Sequence, residues 1–141
     1  MAQLLEFSGN HPLLIAGFFA VLGMLLFTEY QRIFAGVPGL SPYAATQLMN
    51  EGDVLLLDVR DEKEFKTGHI KGARSMPVNQ IDKQIHDIEK YKDRDVVVYC
   101  DNGMRTNRVT GKLKKQGFSK LQTISGGLVG WQKANLPVVS K

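Results

Sequence analysis

A single cysteine, Cys100, stands where a thiol can act as a nucleophile. The segment Cys100-Asp101-Asn102-Gly103-Met104-Arg105 follows the apolar run Val96-Val97-Val98-Tyr99 and leads into a stretch of helical character over 105–116. A sulfur at a strand end, a short loop and then a helix start together favour the thiolate. Unpaired backbone N–H groups and the positive end of the helix dipole both stabilise negative sulfur, and the thiolate is the reactive form. Gly103 permits positive φ, which lets loop N–H groups converge on one point. Arg105 is expected to balance the charge of an incoming anion. The expected site is a cup of backbone donors over 101–105 with the Cys100 sulfur at its floor. The competing reading of Cys100 is a small buried hydrophobe at the end of a core strand. Asp101 puts a carboxylate beside the sulfur, which would disfavour the thiolate and repel anionic donors unless it points into solvent.

The elements that must hold this loop alternate in type. Ser41-Pro42 has the form of an N-cap followed by proline at the first helical position, and predicts a helix to about Asn50. Residues 54–59 form a nearly continuous apolar run, as in a strand buried on both faces. Asp61 and Glu64 have capping-box spacing, predicting a short helix over 61–66. A brief strand is expected within 73–77. Ile81, Ile85 and Ile88 fall at helical spacing and predict a helix over 79–91. A strong strand over 95–99, a helix over 105–116 ended by Gly117, a strand over 121–124 and a last helix over 128–134 complete the series. Strands alternating with helices imply an α/β fold with a mostly parallel central sheet flanked by helices. Ligands in such folds bind beyond the carboxyl ends of the strands, which is where Cys100 falls.

Several motifs, taken together, make residues 40–141 resemble a single rhodanese domain. Leu57-Asp58-Val59-Arg60-Asp61-Glu62-Lys63-Glu64-Phe65, with Gly68-His69-Ile70 and Gly72-Ala73, is similar to the first signature of that family. Val96-Val97-Val98-Tyr99-Cys100 and the loop to Arg105 are similar to its active-site strand and loop, and Gly126-Gly127-Leu128 with Trp131 to its ending. The resemblance implies a sulfurtransferase. Cys100 would accept a sulfane sulfur as a persulfide, and the loop Asp101, Asn102, Gly103, Met104, Arg105 would surround it. Asp58 and Arg60 would be a supporting pair near the site, and His69 a structural residue. The donor would be thiosulfate or a persulfide and the acceptor a thiol or cyanide, with no metal and no organic cofactor. Related phosphatases and arsenate reductases carry a longer loop, with five residues between cysteine and arginine. Four separate Cys100 from Arg105 here, and the smaller cup suits a sulfur atom rather than phosphate or arsenate. A second expectation is a membrane-tethered interaction module with little or no catalytic activity.

The tether is read from the N-terminus. Residues 7–28 contain no Asp, Glu, Lys or Arg, and 12–27 contain no polar side chain. Twenty-two helical residues span about 33 Å, against a bilayer core of about 30 Å. Apolar residues surround this helix and leave no polar stripe for a soluble face. The start lacks the basic region of a signal peptide and carries Glu6 instead. The expected organisation is a tail and transmembrane anchor over 1–33, a linker over 34–39 containing Gly36-Val37-Pro38-Gly39, and the α/β domain over 40–141. Residues 1–31 hold two acids and no base, while the rest of the chain has a net charge of +6. Arg32 on the far flank then places the domain in the cytoplasm, and the family resemblance, anchor included, implies the bacterial inner membrane. A lone thiol suits that reducing compartment. The lipid bilayer is thus one expected partner, and a membrane-protein partner is left open. A whole-chain charge of +4 is too small to argue for nucleic acid. The bases Arg105, Arg108, Lys112, Lys114 and Lys115 on one helix are read first as a solvated face.

Overall fold

A computed structural model of the chain describes residues 10–34 and 36–141. It comprises two compact units, divided between residues 35 and 36. Glu6 and residues 7–9 of the expected span lie outside the described residues.

In the first unit, helix α1 (Pro12–Phe34) contains a 20-residue segment, Pro12–Gln31, none of it buried, that is long and apolar enough to cross a membrane. At 1.5 Å per residue that segment measures about 30 Å. Its Thr28 hydroxyl donates to the Leu25 carbonyl (2.8 Å), so this side chain satisfies itself within the helix.

The second unit is a five-stranded parallel sheet in the order β1-β5-β4-β2-β3. Strand β1 is Gly39–Leu40, β2 Leu55–Asp58, β3 Arg74–Ser75, β4 Val96–Tyr99 and β5 Leu121–Ile124. Helices α2 (Pro42–Glu51), α3 (Glu62–Thr67), α4 (Ile81–Gln84), α5 (Thr106–Lys115) and α6 (Gly127–Lys133) connect and cover them. All residues of β2 and β4 are buried because both faces of the sheet are covered. Alternate side chains feed separate cores. Leu55, Leu57, Val96, Val98 and Cys100 pack with Ile81, Ile85, Ile88, Val109 and Leu113 on one face. Leu56, Val97 and Tyr99 pack with Ala45, Leu128 and Trp131 on the other.

Two departures from the sequence reading have physical causes. The helix expected over 79–91 is broken into a 3-10 turn (Val78–Gln80), the short α4, and a 3-10 segment (Ile85–Tyr91). Ile81 and Ile85 are four apart and suit an α-turn. Ile85, Ile88 and the partly buried Tyr91 are three apart, the spacing that aligns side chains in a 3-10 helix. Strand β1 was not expected, since Gly39 belonged to the linker reading. Its pairing is made by the backbone: Thr123 N donates to Pro38 O (2.9 Å) and Ser125 N to Leu40 O (2.8 Å).

The register of β2 against β4 pairs Leu55 with Val96 and Asp58 with Tyr99, a constant offset of 41 residues. The two chains keep company past the strands, with Val59 N donating to Tyr99 O (3.0 Å). This side-by-side run positions the candidate site.

Candidate active site

Cys100 is the first residue beyond β4, so its side chain points to the same face as Val98 and Val96, into a core that includes Val109 and Leu113 of α5. The residue has no exposed surface. Its Sγ accepts a hydrogen bond from Gly103 N at 3.0 Å. Gly103 adopts φ 93°, a left-handed conformation that folds the loop back over the sulfur. Thr106 at the start of α5 is buried and its hydroxyl donates to Gly103 O (2.5 Å), which fastens the returning loop to the helix. Met104 N donates to Asn102 Oδ1 (3.1 Å), while the Asn102 and Met104 side chains are exposed.

The expected open cup is therefore not the arrangement found. Among the described residues Gly103 is the one whose backbone N–H bonds to Sγ, and the thiol lies under the loop rather than at the floor of a hollow.

The charged residues depart from expectation as well. Arg105 does not wait for an anion. Its Nη1 and Nη2 donate to both oxygens of Glu64 (3.0 and 3.2 Å), and Nη2 also donates to Asp101 Oδ2 (2.9 Å). Asp101 is not a lone negative charge beside the sulfur, because Arg60 Nη1 reaches its Oδ1 at 3.5 Å. Arg60 and Asp58 form a buried pair with bonds of 2.6 to 3.1 Å, and Arg60 Nη2 donates to Gly68 O at 2.7 Å. The result is a run of alternating charge, Asp58–Arg60–Asp101–Arg105–Glu64, that ties the loop to the segment after β2. Two of its links, Arg60–Asp101 and Arg105–Glu64, repeat the 41-residue offset of the strand register.

Glu64 is the residue that sequence reasoning passed over. It was read as a capping-box residue and as part of the first signature, with no role at the site, and it does accept from Asp61 N (2.9 Å). The Arg105 hydrogen bonds, helped by that backbone bond, hold its carboxyl down at about 2. Gly127 is the second. Leu128 N donates to Cys100 O (2.8 Å) and Val129 N to Asp101 O (3.0 Å), so the start of α6 grips the loop from below. A Cβ on Gly127 would sit 2.3 Å from Cys100 O, and its φ is 57°. The Gly-Gly pair in the sequence was the available signal.

Behind the loop, the Tyr99 hydroxyl accepts from Ile70 N (3.1 Å). Burial, reinforced by the negative charge of Asp58, pushes this phenol well above its ordinary range, so it stays neutral. The His69 ring stacks on Phe65 with centroids 3.8 Å apart, and its Nδ1 lies 2.8 Å from Phe65 O, in a structural setting. Among the described residues no group of His, Cys, Asp and Glu side chains could hold a metal ion.

The sequence model of the rhodanese-like domain matches residues 41–134. An uncharacterized protein of Escherichia coli strain K12, YibN, is 31% identical over 140 residues, covering 99% of this chain and 98% of its own length. A sulfurtransferase of Allochromatium vinosum is 35% identical over 94 residues, covering 67% of this chain and 86% of its own. In structure, the chain is similar to the solution NMR structure of a rhodanese-like domain from Anabaena sp., with a TM-score of 0.66, 28% identity, and coverage of 74% and 80%.

Proposed function

Because this chain belongs to the rhodanese-like domain family, we propose that it is a membrane-anchored sulfurtransferase in which Cys100 carries sulfane sulfur as a persulfide. The observation that carries the reading is the hydrogen bond from Gly103 N to Sγ at the carboxyl end of β4. It sets a backbone donor on the sulfur at the carboxyl end of a central strand, the side of an open α/β sheet on which ligands bind. The likeness to a named sulfurtransferase along 94 residues supports the same chemistry.

With thiosulfate as donor, the Cys100 thiolate attacks the outer sulfur. A Cys100 S–S bond forms, the S–S bond of thiosulfate breaks, and sulfite leaves with the electron pair. A thiol acceptor then attacks the outer sulfur of the persulfide as its thiolate. The new persulfide leaves and Cys100 is returned as thiolate, so the transfer needs no outside oxidant or reductant. Dividing the transfer through a covalent intermediate is nucleophilic catalysis. Since the thiol is covered, residues 101–104 must swing aside for the donor to reach it. In the reading, Asp58 and Arg60 hold the segment after β2, and Asp101, Asn102, Gly103, Met104 and Arg105 form the movable cover. The anchor would be α1, in a bacterial inner membrane with the domain in the cytoplasm. The apolar length of Pro12–Gln31 supports the anchor, and the basic balance of the residues that follow supports the orientation.

Mass spectrometry of the full chain in detergent after thiosulfate treatment tests the proposal. A sulfur adduct on the parent and none on Cys100→Ser is expected; an unmodified parent thiol with several donors would sink it. One observation favours a second reading, a tethered interaction module with weak or no chemistry: Cys100 has no exposed surface. A Cys100→Ser chain that fully restores the phenotype of a deletion strain would decide for the module.

A further inference from the structure

The thiol of Cys100 is shut in from two sides. Val96 and Val98 of β4 and Val109 and Leu113 of α5 share its core, and Gly103 N stands 3.0 Å from Sγ across the loop. A sulfur bonded to Sγ would lie about 2.0–2.1 Å away, and a residue with no exposed surface has no open side to hold it. Loading Cys100 therefore takes an opening of the loop, and whatever holds the loop shut governs the loading.

The loop is not held evenly. Its first residues are fastened from α6, Leu128 N to Cys100 O and Val129 N to Asp101 O. Beyond its end, Thr106 is buried at the start of α5. The stretch between is bound mainly to itself. Gly103 bonds to Sγ and to the Thr106 hydroxyl, and Met104 N to Asn102 Oδ1. Asn102 and Met104 are exposed, and a Cβ built on Gly103 would meet nothing within 4 Å, so that side of the apex is open space. Among the described residues, the hydrogen bonds that tie 102–105 to an element other than α5 and the loop itself are the two from Arg105 to Glu64 (3.0 and 3.2 Å). Arg105 Nη2 also bonds Asp101 Oδ2 (2.9 Å), which joins the two ends of the loop under one guanidinium. The Glu64 carboxylate is aimed in advance, because Asp61 N donates to its Oε2 (2.9 Å). A fork of two N–H groups on two carboxylate oxygens is the strong form of such a bond.

We infer that Glu64 is the catch of this cover, a positioning residue on α3 that, through Arg105, sets how often the loop over Cys100 opens. The inference rests on the sulfurtransferase reading for what the opening admits, and it names the contact that regulates it. Opening then needs no unfolding of the sheet: Arg105 leaves Glu64, 102–105 lift, and Cys100, Asp101 and Thr106 keep their places.

The chain holds one cysteine, so alkylation of the full chain in detergent by iodoacetamide, read by mass spectrometry, reports Cys100 alone. Glu64→Gln is expected to speed alkylation about two- to five-fold, the range of a partly solvated ion pair. Glu64→Asp should keep part of the parent's protection. Glu62→Gln removes the Glu62–Lys66 pair from the same helix without touching the loop, and should leave the rate unchanged. Rising ionic strength should speed the parent more than Glu64→Gln, because the ion pair is screened and the reagent carries no charge. Urea well below the unfolding transition should not change the parent's rate, since a local opening exposes little surface. Equal rates in the parent and Glu64→Gln, an equal gain in Glu62→Gln, or a parent insensitive to salt overturns the inference. So does a parent rate that climbs steeply with urea, for the thiol would then be reached by unfolding of the whole unit. Thiosulfate separates the catch from the reading it rests on. A parent that takes no sulfur yet follows the alkylation pattern sinks the sulfurtransferase and keeps the catch. A parent that takes sulfur while Glu64→Gln alkylates no faster sinks the catch alone.

Discussion

At the residue scale, Asp101 is where the sequence argument and the folded chain part. In the sequence it is a carboxylate next to a nucleophile. In the fold, half-exposed, it lies between two guanidiniums, Arg60 and Arg105. The negative charge is largely answered, so its repulsion of an anionic donor is reduced but not removed. Replacing it with Asn leaves both guanidiniums facing the loop with less acid to balance them. We expect Asp101→Asn to speed persulfide formation from the thiosulfate dianion about three- to ten-fold at low salt, with the gain fading as ionic strength rises. Its effect on stability should stay below about 1 kcal/mol, because the pair is partly solvated. Stopped reactions at several salt concentrations, read by mass spectrometry, give the ratio. A ratio that ignores salt would mean that the carboxylate acts by shape rather than charge. Cys100 itself was identifiable from its position after an apolar run and before a helix. Its burial was one of two readings left open, because the choice depends on Gly103 turning the loop back and on Thr106 fastening it, neither of which leaves a periodic mark in the sequence.

At the scale of elements, α3 and the loop are coupled through Glu64 and Arg105. The alternation of elements was readable because Leu55-Leu56-Leu57 and Val96-Val97-Val98 are apolar on both faces, as strands between two helical layers must be. The coupling was not, because 41 residues separate its partners and only the strand register brings them together. Strand β1 was hidden for a related reason: two residues held by main-chain bonds to the β5 segment show no side-chain pattern. The coupling has a pH signature. Glu64 is held at about 2, below its ordinary 4.5, chiefly by the Arg105 hydrogen bonds. A carboxyl depressed in the fold stabilises it above the ordinary value and loses that contribution as pH falls toward the folded one. The parent should therefore be more stable than Glu64→Gln near neutrality, by less than about 1 kcal/mol for a pair a third exposed. That difference should shrink between pH 4.5 and 2. Denaturant melts of both chains across this range measure it, and the other carboxylates, common to both, cancel in the comparison. A difference that stays constant with pH would show that the ion pair contributes nothing.

At the scale of the whole molecule, the proposed anchor raises the question of which side of a membrane the α/β unit would occupy. The anchor reading rests on a helix segment of 20 residues that is long and apolar enough to cross a membrane. The orientation rests on charge: 1–31 carry two acids and no base, and the rest of the chain is basic. Positive flanks remain on the cytoplasmic side. Cys100 is a poor reporter of this, since a thiol with no exposed surface reacts slowly in either compartment. Lys120, in the exposed turn before β5, is a better place for a label. In a Cys100→Ser, Lys120→Cys chain expressed in bacteria, a membrane-permeant maleimide should label intact cells. A charged, impermeant maleimide should label only after the inner membrane is opened. The chain should also stay with membranes through alkaline washing, while one beginning at Gly36 should not. Prompt labelling of intact cells by the charged reagent would put the domain on the outer face. The resting thiol would then meet an oxidising compartment, where a persulfide carried on Cys100 has no reducing pool of thiols to receive it.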